Sequence, residues 1–327
     1  MPDPHRIDVH HHVWPPRWLK AESARMSGSA INWDFVSKWT PAMSVEAMDR
    51  NGVAITVNSV STQHVHPNDP DGDHGFARDC NEFNARLAGD YPGRFGSFAL
   101  LPLPHVDRCL KEIEYAGDVL KADGFKLQTN YIDKWPGDPA FAPVFDALNR
   151  RKAAVFFHPH TPPACMKLLP GVNEPLMEYP FDTTRAIASL IFSGTFARCP
   201  DVKFIFAHGG GTIPFLANRI GGLVKMRPEL DAMMPHGIEH ELRKLYFDIV
   251  SVTNKPAWAA LMAVTTPANM LFGTDIPYMT FETAIGEMGQ MGMSQADLRA
   301  IECGNAIKLM PTLRSLSAQR GERVAGA

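Results

Sequence analysis

The sequence contains little cysteine, and its cysteines form no motif. Among 327 residues there are five, at positions 80, 109, 165, 199 and 303, and no two make a Cys-x-x-Cys pair. An odd number of widely spaced cysteines fits reduced thiols better than a disulfide framework. We therefore expect an intracellular, cytoplasmic protein.

Long apolar runs and an excess of charge of one sign are also missing. The formal net charge is −3, and 32 lysines and arginines are scattered along the chain without forming a basic stripe. We therefore expect neither nucleic acid nor an anionic membrane as a partner. The apolar runs are too short to cross a bilayer, and the first predicted strand begins too early to leave room for a signal peptide. The expected partner is a small-molecule substrate.

Short apolar runs alternate with longer helical patterns through nearly the whole chain, which is typical of βα units around a parallel sheet. The predicted strands are 7–11, 54–59, 95–100, 124–128, 154–158, 203–208, 245–250 and 270–274. The predicted helices are 44–51, 79–90, 107–122, 139–151, 182–196, 213–226, 255–265 and 294–310. Because eight strands alternate with helices, we predict an α/β fold, a single (β/α)8 TIM barrel over residues 1–327.

A doubly wound open sheet is the competing architecture, but it needs a glycine-rich phosphate loop after the first strand. The sequence at 10–16 is His-His-His-Val-Trp-Pro-Pro, which has no glycine.

Segment 14–41 is long and rich in tryptophan, so we expect an insert or lid over the barrel mouth. Segment 161–179 is a second interruption, and residues 311–327 are expected to be a flexible tail.

Histidines and an aspartate follow predicted strands where each strand ends. His10 and His12 close the first strand, and strand alternation points both side chains the same way. His158 closes the fifth strand and Asp275 the eighth. Each alone could be a turn residue or a cap, but reacting residues of barrels lie at this end of the strands. Since catalytic zinc and manganese sites combine histidine with carboxylate ligands, we predict that these four residues bind a metal.

A further strand-end histidine, His208, precedes three glycines and a predicted helix. We interpret His208 as a general acid and base, with Asp275 as the other residue that could move the proton. Glycines at this position would let a substrate approach the backbone closely. Lys126 lies in the middle of the fourth strand rather than at its end, which favours one metal ion over two.

Four residues are candidates for binding the substrate. Arg185 follows Asp182, a predicted helix cap, and could hold a carboxylate. His160 lies beyond the fifth strand, and Trp14 of the insert could pack against a ring. Arg219 is predicted to lie roughly 10 Å along its helix, so it would either reach a neighbouring subunit or pair with a surface carboxylate.

Together these motifs resemble a known family, the aminocarboxymuconate-semialdehyde decarboxylase branch of the amidohydrolase superfamily. The similarity lies in Ile7–His12, His158–His160, His208–Gly211 and Phe272–Tyr278. The segment 181–185 together with 158–163 is most similar to 6-methylsalicylate and hydroxybenzoate decarboxylases. The resemblance implies one Zn²⁺, with Mn²⁺ as the alternative, held by His10, His12, His158 and Asp275, and a homodimer or higher oligomer across which Arg219 is lent to the neighbouring subunit.

The resemblance also implies an activity, the non-oxidative decarboxylation of a hydroxylated aromatic or conjugated carboxylic acid by a carboxy-lyase. The semialdehyde decarboxylases carry an arginine where this chain has Glu46, so we do not expect their substrate. The main alternative is a metal-dependent hydrolase or hydratase that uses metal-activated water on a lactone, amide or alkene. Another alternative is a metal-binding barrel without activity, because fold and metal ligands alone do not distinguish these functions.

Overall fold

The computed structural model describes residues 5–26, 33–61 and 66–316. One sheet contains eight strands in chain order, and every pairing is parallel. The strands are β1 (Arg6–His12), β2 (Val53–Ser59), β3 (Phe95–Leu100), β4 (Gly124–Gln128), β5 (Ala154–His158), β6 (Lys203–Phe206), β7 (Tyr246–Asp248) and β8 (Met270–Leu271). The first and last strands also meet, since the Val9 amide donates to the Phe272 carbonyl at 3.0 Å. The predicted (β/α)8 barrel is therefore confirmed.

The helices lie outside this sheet. They are α1 (Pro16–Met26), α2 (Trp33–Lys38), α3 (Pro41–Asn51), α4 (Pro70–Asp90), α5 (Val106–Glu114), α6 (Ala142–Arg150), α7 (Glu174–Phe192), α8 (Thr195–Arg198), α9 (Ile213–Met226), α10 (Ile238–Arg243), α11 (Lys255–Met262), α12 (Phe281–Gly289), α13 (Gln295–Arg299) and α14 (Asn305–Leu309). Among the described helices, none combines the length and the apolar character needed to cross a membrane.

Two apolar layers hold the barrel together. Outward side chains of the strands, such as Phe157 and Phe206, pack against the surrounding helices. Inward side chains such as Phe98 and Phe156 fill the barrel interior, and Leu313, which follows α14, joins them. Because the lower interior is filled with apolar side chains, the polar residues that end the strands gather at the mouth.

Several predicted boundaries differ from the structure. Strands β3, β4 and β5 and helix α9 have the predicted bounds, whereas β6, β7 and β8 are shorter than predicted. Helix α7 begins at Glu174 rather than at Asp182. Its first turn contains a proline, which a helix tolerates at that position, and a second proline inside the helix does not end it. Asp182 consequently lies within the helix, and its predicted role as a cap was wrong.

The described part of the insert after β1 packs against the outside of the barrel. Its described part forms α1 and α2, and residues 27–32 lie outside the described chain. Trp14, Trp18 and Trp39 are 3%, 2% and 8% exposed and belong to the apolar layer outside the barrel.

The prediction of a flexible C-terminal tail was wrong for residues 311–316, because Leu313 is fully buried there. Residues 317–327 lie outside the described chain.

Candidate metal centre and adjoining cavity

Four side chains converge at the C-terminal end of the barrel. One nitrogen from each of His10, His12 and His158 and an oxygen of Asp275 lie within 4.8 Å of one another. The Nε2 atoms of these histidines lie 3.0, 2.8 and 3.9 Å, in that order, from Oδ1 of Asp275. None of the four residues is more than 8% exposed. The structure therefore brings the predicted ligand residues together.

Strand β1 places two of its three histidines inside the barrel. The ring of His10 makes an edge contact with the ring of Phe156, with centroids 5.1 Å apart. His11 faces the opposite side, where its Nε2 lies 3.1 Å from the hydroxyl oxygen of Ser44 on α3. Alternation along the strand thus separates His11 from the other histidines.

Asp248, at the end of β7, orients His10. Nδ1 of His10 donates to Oδ2 of Asp248 at 2.6 Å, and both side chains are fully buried. When His10 is neutral, its Nε2 therefore carries a lone pair. This lone pair lies 3.0 Å from a carboxylate oxygen of Asp275, which has no proton to donate to it. Nε2 of His10 and Nε2 of His158 are buried without a hydrogen-bond partner. Buried nitrogen acceptors that have no hydrogen-bond partner and lie beside a carboxylate are suited to bind a divalent cation.

The same surroundings shift the pKa values. Burial disfavours a charged His10, but the carboxylates of Asp275 and Asp248 outweigh burial and raise its pKa to about 10. Burial lowers the pKa of His12 and holds that of His158 well below its usual value. Burial also opposes ionisation of Asp275, but the nearby histidines, His10 foremost, hold its pKa well below its usual range. Neutral imidazole and ionised carboxylate are the forms that bind metals, so the shifts favour the binding form of His12, His158 and Asp275, whereas a divalent ion would have to displace a proton from His10.

The carboxylate of Asp275 has a second partner. Its Oδ2 accepts a hydrogen bond from Nε2 of His208 at 3.1 Å, whereas Oδ1 faces the three imidazoles. Both residues have left-handed backbone conformations, with φ of 54° at His208 and 59° at Asp275. The two residues predicted to transfer a proton are therefore in contact, and a proton could pass between them.

Of the glycines after His208, Gly211 lines a cavity beside that histidine, but the space where side chains would lie is occupied by neighbouring residues. Gly209 has a φ of +59°, and a Cβ there would lie 2.4 Å from Cγ1 of Val252. Gly211 has a φ of +67°, and a Cβ there would lie 2.1 Å from the carbonyl oxygen of Pro180. The missing side chains instead let the loop after β7 and helix α7 pack closely beside His208.

A cavity of about 590 Å³ adjoins Asp275 and His208. Its apolar wall includes Leu176, at the start of α7, and Val252, after β7, while Ser61 and Ser251 contribute hydroxyls. Segment 161–179, after β5, thus contributes to one wall of the cavity. The sequence instead predicted that the insert after β1 would cover the barrel mouth. Among the described lining residues there is no lysine or arginine.

Trp14 and His160 do not line this cavity. The Trp14 ring packs against Trp39 at a centroid distance of 5.3 Å, within the outer apolar layer. His160 is 7% exposed, and its Nε2 donates to the carbonyl of Asn130 at 2.8 Å. The structure therefore places both predicted substrate-binding residues in packing and loop contacts.

The two predicted arginines also lie outside the cavity. Arg185 is half exposed, and its Nη1 lies 3.7 Å from carboxylate oxygens of Glu178 and Asp182. Arg219 is exposed on α9, and within the described parts of the chain no carboxylate pairs with it. Arg185 thus has partners within its own chain, whereas Arg219 remains available to another molecule.

Two buried carboxylates, Asp248 and Asp182, have roles that the sequence did not indicate. Asp248 was hidden because the seventh strand was predicted to continue to Val250, although Asp248 ends β7 as His158 ends β5. Asp182, also fully buried, accepts hydrogen bonds from Thr129, Asn130 and Trp135 and so links the loop after β4 to α7. No local pattern indicated this role of Asp182, because the three residues that donate to it are distant in sequence.

Comparison with known proteins gives one family and several relatives. The model of a family described as amidohydrolase matches residues 7–312. The chain is 33% identical over 326 residues to the decarboxylase macB of Penicillium terrestre, covering 94% of this chain and 96% of that protein. It is 31% identical over 319 residues to the 6-methylsalicylic acid decarboxylase of Penicillium expansum, covering 95% and 98%.

A solved structure has a similar fold. It is the dihydroxybenzoic acid decarboxylase of Polaromonas sp. JS666 with bound manganese and the inhibitor 2-nitroresorcinol. The TM-score is 0.82 at 20% identity, and the match covers 94% of this chain and 97% of that chain.

Proposed function

Because the chain belongs to the amidohydrolase family, we propose that it is a metal-dependent, non-oxidative decarboxylase of a hydroxylated aromatic carboxylic acid. The relatives named as decarboxylases match nearly the full chain, which supports this activity. The observation that carries the proposal is the shared carboxylate of Asp275. One of its oxygens faces three imidazoles and the other accepts from His208, at the edge of a cavity.

Four residues, His10, His12, His158 and Asp275, would hold the metal ion. A divalent ion there would supply positive charge that stabilises negative charge on the substrate oxygens. We propose Zn²⁺, with Mn²⁺ as the alternative, since the donor set of three imidazoles and one carboxylate suits both. The metal content of the protein as purified, together with the maximal turnover that each ion restores to metal-free protein, distinguishes them, because affinity alone favours Zn²⁺ over Mn²⁺ at such ligands.

His208 and Asp275 would move the proton that the reaction needs. Protonation of the ring carbon that bears the carboxylate lets the bond to that carboxylate break. Its electron pair returns to the ring as carbon dioxide leaves, so a proton replaces carbon dioxide without any redox change. The hydrogen bond between Nε2 of His208 and Oδ2 of Asp275 would hold this proton before transfer.

The cavity suits a ring of this kind. Its volume of about 590 Å³ lies in the usual range for small-molecule sites, and apolar residues such as Leu176 and Val252 would exclude water from the ring faces. A small aromatic carboxylic acid is therefore the proposed substrate. The five cysteines are free thiols, which suits the proposed cytoplasmic location.

We also propose that the enzyme is a homodimer in which Arg219 reaches the partner's site. Arg219 lies on α9 between Phe215 and Met226, which are 86% and 79% exposed. Exposed apolar side chains on one helix favour an interface. Sedimentation equilibrium tests this proposal: the wild-type chain should sediment as a dimer, and Phe215→Ser should shift it toward the monomer. A monomeric wild-type chain would contradict it.

Turnover of defined acids tests the proposed activity. Metal-loaded protein is incubated with 6-methylsalicylate, 2,6-dihydroxybenzoate and 2,3-dihydroxybenzoate, and carbon dioxide release is measured together with the aromatic product. We expect stoichiometric release from at least one acid and none after chelation of the metal. Turnover of lactones or amides without release from any aromatic acid would instead favour the hydrolase.

A further inference from the structure

Three neighbouring strands are each followed by a non-glycine residue in the left-handed conformation. These residues are His208 after β6, Ser251 after β7 and Asp275 after β8, with φ of 54°, 63° and 59°. Such a backbone costs free energy for any residue with a Cβ, and it persists where the surrounding structure imposes it. Strained residues of this kind concentrate at functional sites. Two of the three are the proposed proton-transfer residues, and Ser251 is the third.

The loop that carries Ser251 is held from both sides. The side chain of Val252 occupies the space beside Gly209, where a Cβ would lie 2.4 Å from Cγ1 of Val252. On the other side, Asn254 caps α11 by accepting from the Ala257 amide at 3.1 Å, and its Nδ2 lies 3.4 Å from the Ser251 carbonyl. The backbone of Ser251 is therefore fixed by its neighbours, and so is the Cβ atom from which its hydroxyl extends.

The hydroxyl of Ser251 has no internal role. Ser251 is exposed and lines the cavity beside His208 and Asp275. Across the described residues we find no hydrogen-bond partner for this hydroxyl. A strained residue that lines a cavity and carries a hydroxyl without a partner is suited to contact a ligand.

We propose that the hydroxyl of Ser251 binds the substrate through a ring hydroxyl, and so selects hydroxylated over alkylated rings; this proposal rests on the proposed function. The described lining residues include no lysine or arginine, so this wall offers a neutral hydrogen bond rather than a charge. A neutral oxygen substituent matches a neutral hydroxyl, because each can donate and accept. Ser251 is thus proposed as a residue that determines specificity.

The test uses two ligands of matched shape, 2,6-dihydroxybenzoate and 2,6-dimethylbenzoate, and calorimetry on metal-loaded protein. In Ser251→Ala, loss of one neutral hydrogen bond should weaken binding of the dihydroxy acid about 2- to 10-fold. Binding of the dimethyl acid should stay unchanged. Ser251→Gly should show the same loss, while Ser251→Asn, which tolerates the left-handed conformation and can hydrogen-bond, should recover part of the affinity.

Lys152→Gly is the matched control for strain. Lys152 is exposed and also left-handed, with a φ of 51°, but it does not line the cavity. Ser251→Gly and Lys152→Gly should both raise the unfolding temperature, and only the former should weaken binding of the dihydroxy acid. Equal affinity of wild type and Ser251→Ala for the dihydroxy acid, or an equal loss for both acids, would overturn the proposal.

The outcomes also separate this proposal from the proposed activity. If the dihydroxy acid binds more weakly to Ser251→Ala but the wild type releases no carbon dioxide from any acid, the role of Ser251 stands and the decarboxylase proposal fails. If the wild type decarboxylates an aromatic acid while Ser251→Ala binds the dihydroxy acid unchanged, the activity stands and the role of Ser251 fails. If neither acid binds to the wild type, the role of Ser251 is overturned.

Discussion

Nδ1 of His10 donates a hydrogen bond of 2.6 Å to Oδ2 of Asp248, and neither side chain reaches solvent. The other oxygen of Asp248 accepts from the Val250 amide at 3.1 Å, so the carboxylate is itself held in place. This contact joins β1 to β7, which lie on either side of β8, and fixes which nitrogen of His10 is free to bind a metal. The proposed metal centre thus depends on a carboxylate that is not one of its ligands.

Asp248→Asn should weaken metal binding without unfolding the barrel. The amide keeps the size of the carboxylate but no longer fixes the tautomer of His10, and loss of such a partner typically costs about 10- to 100-fold in metal affinity. Competition with a chelator measures the change. Asp118→Asn, at an exposed carboxylate that pairs with Arg151, is the control and should bind metal like the wild type. Equal affinities in all three proteins would contradict the role of Asp248.

His208→Asn should remove activity and leave the metal bound. His208 contacts Oδ2 of Asp275, whereas the proposed ligand atom is Oδ1. Loss of a general acid and base typically slows turnover by about a hundred- to ten-thousand-fold. Turnover and metal content are measured on the same preparation, with the exposed His236→Asn as the control. A variant that loses its metal would make His208 a ligand, and one that keeps full turnover would exclude it from catalysis.

Lys126→Met should stabilise the protein most at low pH. Lys126 is 1% exposed in β4, and burial lowers its pKa to about 7. In the unfolded chain a lysine has a pKa of about 10.4, so between these values the unfolded chain binds a proton that the folded chain does not. Wild-type stability therefore rises with pH across this window because of Lys126, and below about pH 7 the charged form is buried at its full cost.

The measurement is urea unfolding of wild type and Lys126→Met from pH 6 to pH 10. The variant should be more stable at pH 6, and its advantage should shrink by about 1.4 kcal/mol per pH unit above pH 7. Lys255→Met, at an exposed lysine, should show no such trend. An advantage that is the same at every pH would contradict the lowered pKa.

Gly209→Ala should disturb the cavity through the loop after β7. A Cβ at this position lies 2.4 Å from Cγ1 of Val252, and the φ of +59° strains any residue other than glycine. We expect a loss of about 1–3 kcal/mol in the free energy of unfolding and a higher KM. Gly286→Ala in α12, where nothing lies within 4 Å of the added Cβ, should be neutral or stabilising. Unchanged KM in Gly209→Ala would show that the packing of this loop does not shape the cavity.

The barrel and the cluster of three histidines and one aspartate followed from sequence because both depend on local patterns. Apolar runs fix the strands, and alternation in β1 separates His11 from His10 and His12 whatever surrounds them. The C-terminal ends of parallel strands then meet at one rim, which places His158 and Asp275 near the same point.

The rest depends on contacts between distant parts of the chain. The tryptophans of the insert indicate apolar packing, but they do not reveal whether the partner is a ring in the cavity or Trp39 in the outer layer. The glycines after His208 indicate close approach, yet the approaching atoms belong to Val252 and Pro180. Asp248 could have been found by ending the seventh strand two residues earlier, because its sequence then matches the pattern of the other strand ends.

Crystals of the protein grown with Mn²⁺ and measured at the manganese absorption edge locate the ion itself. We expect one anomalous peak, about 2.0–2.3 Å from Nε2 of the three histidines and an oxygen of Asp275, with the hydrogen bond from His10 to Asp248 intact. A peak elsewhere, or no peak at this rim in crystals soaked with excess Mn²⁺, would contradict it.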